Sequence, residues 1–302
     1  MARRLCGLLL VAACAVAVAG CGGGGTSASG VSAEPISLRE LASSASTSAD
    51  ASSGRFSFDV SFGMPGTDER FDLSGEGAFD QASNRSSLSV DMSSLAKLLG
   101  GLAAGFGATG SGDLPNFDDP AGWKLEAVKD GNVDYVRLPA VDDRLPAGKS
   151  WIRGSGGKID AAGLGLEQFS FTNGHPRDVL EALRAVSGEV ETVGTEDLRG
   201  VETTHYRAEI EPAKVVAGGA GTTAGLLDQI TSQAQVKTAP IDVWIDGDGL
   251  VRKVLLDVVA TRTGSADEGH ASIAFELWDY GEDVGIEPPP ASEVVDATAL
   301  HG

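Results

Sequence analysis

Apolar and polar residues alternate strictly from residue 55 onward. Phe56, Phe58, Val60 and Phe62 share one side of an extended chain, and Ser57, Asp59 and Ser61 share the other. Successive side chains of a strand point to opposite faces, so a period of two predicts a half-buried strand. The pattern returns with Phe71, Leu73 and Phe79 against Asp72, Ser74 and Glu76, then over 85–92 with Leu88, Val90 and Met92 on the apolar side. Further strands are predicted over 124–129, 133–138 and 150–153, the first two joined at Asp130-Gly131, a hairpin signal. The first half is thus expected to be an antiparallel meander with one apolar and one solvated face.

The second half opens at His175-Pro176 with a helical pattern to Val186, its inward residues being Val179, Leu180, Leu183 and Val186. Strands follow over 189–195 and 201–211, turning at Arg199-Gly200. A crossover over 212–235 contains a helix carrying Leu226, Leu227 and Ile230, and strands over 240–246, 250–261 and 271–280 complete the set. Ahead of the first strand, Leu38, Leu41, Ala42, Ala45 and Ala49 recur at helical spacing, but the many Ser and Thr residues predict a short, weak helix. The predicted fold class is α+β: one strongly curved antiparallel β-sheet, a half-barrel of about 10–11 strands, with helices packed on its concave face. No linker divides it, so residues 37–302 are expected to be a single domain, although the two halves look loosely repeated.

Residues 93–106 interrupt the meander with Leu95, Leu98, Leu99, Leu102 and Phe106 at helical spacing, among Gly100, Gly101 and Gly105. Interior glycines cost a helix about 0.5–1 kcal/mol each relative to Ala. The segment is either a moving lid that depends on burial or an ordinary packed crossover helix.

The N-terminus is different in kind. Arg3 and Arg4 precede an apolar run over 5–19 that is too short to span a hydrocarbon core of about 30 Å as a helix. It ends in Val18-Ala19-Gly20-Cys21, a small-residue cleavage site followed by Cys. This pattern resembles a bacterial lipobox, which implies diacylglyceryl transfer to the Cys21 thiol and cleavage between Gly20 and Cys21. Residues 1–20 are then a lipoprotein signal peptide, and 21–36 a flexible Gly/Ser-rich tether with a reach on the order of 20 Å. Cys6 and Cys14 leave with the signal, so no thiol remains for nucleophilic or redox chemistry. The expected location is the outer face of a cell membrane, held by lipid on Cys21.

Composition narrows the chemistry. In 302 residues there are 23 Lys and Arg against 43 Asp and Glu, a formal net charge of −20 that becomes −22 without Arg3 and Arg4. Nucleic acid is excluded as a partner, because binding phosphates needs a cationic stripe and no such cluster occurs. An anionic leaflet repels such a body, so attachment rests on the lipid anchor. Gly148-Lys149-Ser150 resembles the end of a P-loop, but Asp143 stands where the first Gly belongs and a strand follows. There is no G-x-S-x-G elbow and no H-E-x-x-H. The four histidines, His175, His205, His270 and His301, are scattered, and His205 falls on the polar side of its strand as a solvated residue. Asp246-Gly247-Asp248-Gly249 reads as a hairpin turn, since it lacks the spacing and the twelfth-position Glu of a calcium loop. No catalytic residue, metal or cofactor is indicated.

One resemblance joins these readings. The segments Val193-Gly194-Thr195-Glu196, 199–206 (Arg-Gly-Val-Glu-Thr-Thr-His-Tyr), Val243-Trp244-Ile245-Asp246 and Gly249-Leu250-Val251-Arg252 carry it. So do Gly148-Lys149-Ser150-Trp151, Tyr280-Gly281 and Pro288-Pro289-Pro290. Together they resemble the LppX/LprAFG family of actinobacterial lipoproteins, whose fold is LolA-like. The resemblance is weakest over 93–122. It implies a half-barrel sheet that holds helices over an apolar cavity, and binding or transfer of acyl-chain-bearing lipids of the envelope. Leu95, Leu98, Leu99 and Leu102 are then expected to line or cover that cavity, with Leu226, Leu227 and Ile230 opposite. A membrane protein is a possible donor or acceptor. The alternative is a non-enzymatic structural, interaction or sensor lipoprotein whose core is filled.

Overall fold

The computed structural model describes residues 35–63, 70–105, 117, 119–155, 176–218, 236, 238–261 and 268–300. The expected signal peptide, Cys21 and nearly all of the tether lie outside these residues.

Twelve strands form one curved, open sheet among the described residues. The first meander comprises β1 (Ser53–Gly63), β2 (Arg70–Asp80), β3 (Arg85–Asp91), β4 (Lys124–Asp130), β5 (Val133–Arg137) and β6 (Trp151–Ser155). The second comprises β7 (Val186–Leu198), β8 (Val201–Ile210), β9 (Ala239–Asp246), β10 (Val251–Thr261) and β11 (Glu268–Trp278). The two meet where β1 pairs β11, with Phe58 opposite Phe275 and Phe62 opposite Ala271. Every pairing is antiparallel except the last, where β12 (Val294–Asp296) lies parallel to β6. That three-residue strand is too short to show a period, and it is the one the alternation does not predict.

The alternation works because only one face of each strand meets the main core. Phe56 and Val60 of β1, Phe79 of β2, Leu88 and Val90 of β3, Ile241 and Val243 of β9 and Ile273 and Phe275 of β11 belong to one buried cluster on the inner face. The outer face carries a smaller cluster, in which Val284 and Ile286 of the C-terminal strap pack on Ala78.

Helix α1 (Leu38–Ala49) joins the inner core through Leu41, Ala45 and Ala49. Its serines do not prevent it. Ser37 caps the first turn reciprocally with Glu40, and the Ser46, Thr47 and Ser48 hydroxyls donate to carbonyls four residues back. Helix α2 (Ser93–Gly105) packs against β2 and the single turn Pro120–Trp123. The helix expected over 175–186 is shorter: α3 spans Arg177–Ala182, a 3-10 turn follows, and Val186 already begins β7. In the second crossover the described helix is α4 (Pro212–Gly218). At Arg199-Gly200 both residues have positive φ, 53° and 82°, the conformation of a two-residue hairpin turn whose twist matches its strands.

Candidate functional site

The inner face is not uniformly sealed. Along β1 the ring of Phe56 is 2% exposed, whereas Phe58 and Phe62, two and six residues further on, are only half-buried. The facing positions of β2 follow the same trend: Phe79 is buried, Leu73 and Phe71 half-buried. Phe62 and Phe71 stand directly opposite each other, their ring centroids 6.3 Å apart, at the end of the hairpin. Val60, between Phe62 and Phe58 on β1, is buried, so the accessible hydrocarbon runs from Phe62 and Phe71 over Leu73 of β2 to Phe58 and stops at a buried wall, where Phe56 stacks on Phe275 at 5.5 Å.

Two glycines shape this strip. Gly75 and Gly77 lie opposite Phe58 and Phe56 in the register. A Cβ at Gly75 would lie 2.5 Å from Phe58 Cζ, and one at Gly77 the same distance from Phe56 Cζ. The aromatic rings thus lie over bare backbone in β2, close to the sheet. Glycine inside a strand weakens it unless another group needs the space, and here the rings need it.

Helix α2 packs on β2, the strand that carries Phe71 and Leu73. Met92, just before it, and Ala96 are buried, while Leu95 and Leu99 are half-buried and pack on the inner core. Leu98 is 41% exposed. Gly100 allows Phe117 to approach the helix, since a Cβ there would come within 2.9 Å of Phe117 Cβ, and Phe117 stacks on the buried Trp123 at 5.2 Å. Of the residues expected to line a cavity, the structure brings Leu95 and Leu99 to the core. The Leu102 side chain and Leu226, Leu227 and Ile230 lie outside the described residues, as do Gly20 and Cys21. Phe58, Phe62, Phe71 and Leu73 were legible as an apolar strand face; their partial exposure was not.

The outer face holds the polar chemistry. His205 is not solvated: its side chain is 12% exposed, with Nε2 2.6 Å from Asp242 Oδ1 and the ring stacked on Trp244 at 4.2 Å. Arg207 Nε donates to the same Asp242 oxygen at 2.9 Å, and Trp244 Nε1 donates to Glu196 at 2.5 Å. Farther along, Lys253 and Arg199 both pair with Glu276, and the Arg199 guanidinium lies 3.8 Å from the centre of the Trp278 ring. Arg199 leaves the turn between β7 and β8 and reaches β11, past β9 and β10. Asp242, Trp244 and Asp246 on the outer side of β9 are buried. Trp244, a large aromatic among polar positions, was the sequence signal for this cover. Asp246 accepts from the backbone of Asp248 and Leu250 and from Arg252 Nε at 2.6 Å, as a turn-forming aspartate does. Among the described residues no group of three His, Cys, Asp or Glu side chains is placed to hold a metal ion.

No family model matches the chain. An uncharacterised 31.2 kDa protein in the rplA-rplJ intergenic region of Streptomyces griseus is 35% identical over 158 residues, 49% of this chain and 48% of that protein. The chain thus spans about half the length of the curated relative it matches. Among solved structures it is similar to the lipoprotein LppX of Mycobacterium tuberculosis, at 15% identity and a TM-score of 0.43, over 83% of this chain and 97% of LppX. It is similar to LprF of Mycobacterium bovis at 12% identity and a TM-score of 0.46, over 84% and 97%. A LolA superfamily protein from Nitrosomonas europaea is 7% identical with a TM-score of 0.25, over 84% and 96%. These are structures of the groups that the sequence resembles.

Proposed function

We propose that the protein is a cell-envelope lipoprotein, anchored to the outer face of a membrane through lipid on Cys21, that binds the acyl chains of lipids along its inner face and carries them. The observation that supports this most is the half-buried apolar strip of Phe58, Phe62, Phe71 and Leu73 beside Leu95 and Leu99. A stable core has little reason to leave four aromatic or aliphatic side chains of one inner face partly open. Hydrocarbon fits this surface without any charged contact. Each buried methylene contributes about 0.8 kcal/mol, so roughly ten supply about 8 kcal/mol before the cost of association. The lipobox-like Val18-Ala19-Gly20-Cys21 supplies the anchor in this reading. No catalytic step is assigned, and the donor or acceptor of the lipid is a membrane or a membrane protein.

Native mass spectrometry tests the reading on a Cys21→Ser form expressed in a lipid-containing host. A bound species of lipid mass that disappears on organic extraction is the expected result. Lipid-free protein that also fails to take up a fluorescent fatty acid overturns it, and leaves the filled-core interaction lipoprotein.

A further inference from the structure

We propose that Phe58, lying over Gly75, sets the length of acyl chain that the inner face accepts. The inference rests on the lipid-binding reading and adds to it a residue that decides among ligands.

What matters is position along the β1–β2 pair. Phe62 marks the open end of the strip and Phe58 lies four residues back, about 13 Å away at the rise of a strand. Beyond Phe58 the next inward residue is Phe56, which is sealed against Phe275 and over Gly77. Phe58 is therefore the last accessible ring before the buried wall, and because Val60 on β1 is buried, a chain laid from Phe62 and Phe71 over Leu73 of β2 ends against the Phe58 ring where it lies over Gly75. The height of that ring above the sheet is fixed by Gly75. With no Cβ there, the ring rests on the backbone of β2; a methyl group at that position would overlap Cζ and Cε1, at 2.5 and 2.6 Å, and would also press on the Ser89 carbonyl of β3 at 2.8 Å. Gly75 sits in a strand interior, where glycine has a conformational cost. Its side-chain space is used by the one ring of the pair that is not sealed. Gly77 serves the core in the same way under Phe56, so the two glycines have different consequences: one fills a wall, the other sets a floor.

The ligand class implied is a flexible saturated chain. Its affinity rises with each methylene until the chain reaches Phe58, and then stops rising. Each methylene that finds apolar cover is worth about fourfold in Kd.

The test uses full-length protein carrying Cys21→Ser and displaces a fluorescent fatty acid with unlabelled saturated fatty acids from decanoic to eicosanoic acid. Wild type is expected to gain about fourfold per methylene up to a plateau. Phe58→Ala moves the plateau to longer chains, and Phe58→Trp moves it to shorter ones. Gly75→Ala also shortens it by lifting the ring, and Gly75→Ala with Phe58→Ala recovers the longer chains in part, since the contact with the Ser89 carbonyl remains. Val259→Ala, on an exposed position of β10, leaves the plateau where it is. Phe58→Leu replaces Phe58→Ala if the latter does not fold, with a smaller shift in the same direction. Folded variants that all share the wild-type plateau overturn the role of Phe58. Wild type that displaces no probe with any chain overturns the lipid-binding reading itself, and the inference with it.

Discussion

The hydroxyl of Ser48, in the last turn of α1, accepts the backbone N–H of Val251 at 2.8 Å. Val251 opens β10 at the point where its register with β9 shifts, so the sheet alone does not serve its polar groups regularly. Its carbonyl accepts from the Tyr280 hydroxyl at 2.6 Å. One residue of the sheet is thus held on both sides by side chains from distant segments, one from a helix and one from the chain following β11. Burial raises the Tyr280 phenol well above its ordinary value, so it is a protonated donor at neutral pH. Ser48→Ala leaves a buried N–H without a partner and is expected to cost about 1–3 kcal/mol in urea unfolding. Tyr280→Phe is expected to cost less, since an under-satisfied carbonyl is better tolerated. Losses that sum without coupling in the double variant would show that Val251 does not link them.

Asp242 receives both His205 and Arg207 on one oxygen from a nearly sealed position on the outer face. Asp242→Ala leaves two donors facing a void, while Asp242→Asn keeps the shape and one acceptor. The alanine variant is expected to lose about 2–3 kcal/mol, less than a fully buried pair would, because Arg207 is half-exposed and screened. The asparagine variant is expected to lose about half as much. Chemical denaturation measures both, and equal losses would refute the network as the cause.

Gly77→Ala is predicted to destabilise by about 1–3 kcal/mol through overpacking. The added methyl group meets Phe56 Cζ and the carbonyl of Ser87, and Phe56 is itself pinned by Phe275. Phe56→Leu in the same chain should recover part of the loss, since it removes the ring that the methyl strikes. No recovery would place the strain in the backbone of β3 instead.

The alternation of apolar and polar residues was enough to read eleven of the strands, because one face of each is dry and a slip of one residue would invert it. It could not show which of those apolar residues are sealed. Phe56 and Phe58 look identical in the sequence, yet Phe56 is buried and stacked on Phe275 while Phe58 is half-buried. His205 went wrong for the complementary reason. Its place on the polar side of β8 was legible, but Asp242 and Trp244 of β9 and Glu196 of β7 close around it, and the strands that flank β8 are not encoded in β8 itself. Gly75 and Gly77 were likewise visible as glycines, yet their purpose depends on a register that no single strand encodes. The capping pair Ser37 and Glu40 was the opposite case: a local signal, spaced for a capping box, whose weight was hidden by the serines that follow it.

Asp142 offers a prediction with a pH sign. It lies in the 3-10 helix over 139–144, after β5, and its Oδ1 is buried with no hydrogen-bond partner among the described residues. Burial raises its pKa, and the nearby Arg137 opposes that rise only in part. The folded protein therefore holds this proton to a higher pH than the unfolded chain does. The associated stability is present at low pH and is lost as the pH rises through the folded value. Asp142→Asn removes the charge that burial penalises. The variant is expected to gain on wild type as the pH is raised from about 4 to about 6, around and above the ordinary carboxylate range. The residue as a whole is half-buried and solvent screens it, so the gain at neutral pH stays below about 1 kcal/mol. Urea midpoints taken across that range measure the difference directly. A difference that does not change with pH would mean that Asp142 titrates alike in the folded and unfolded chains, and that its unpartnered oxygen is reached by water.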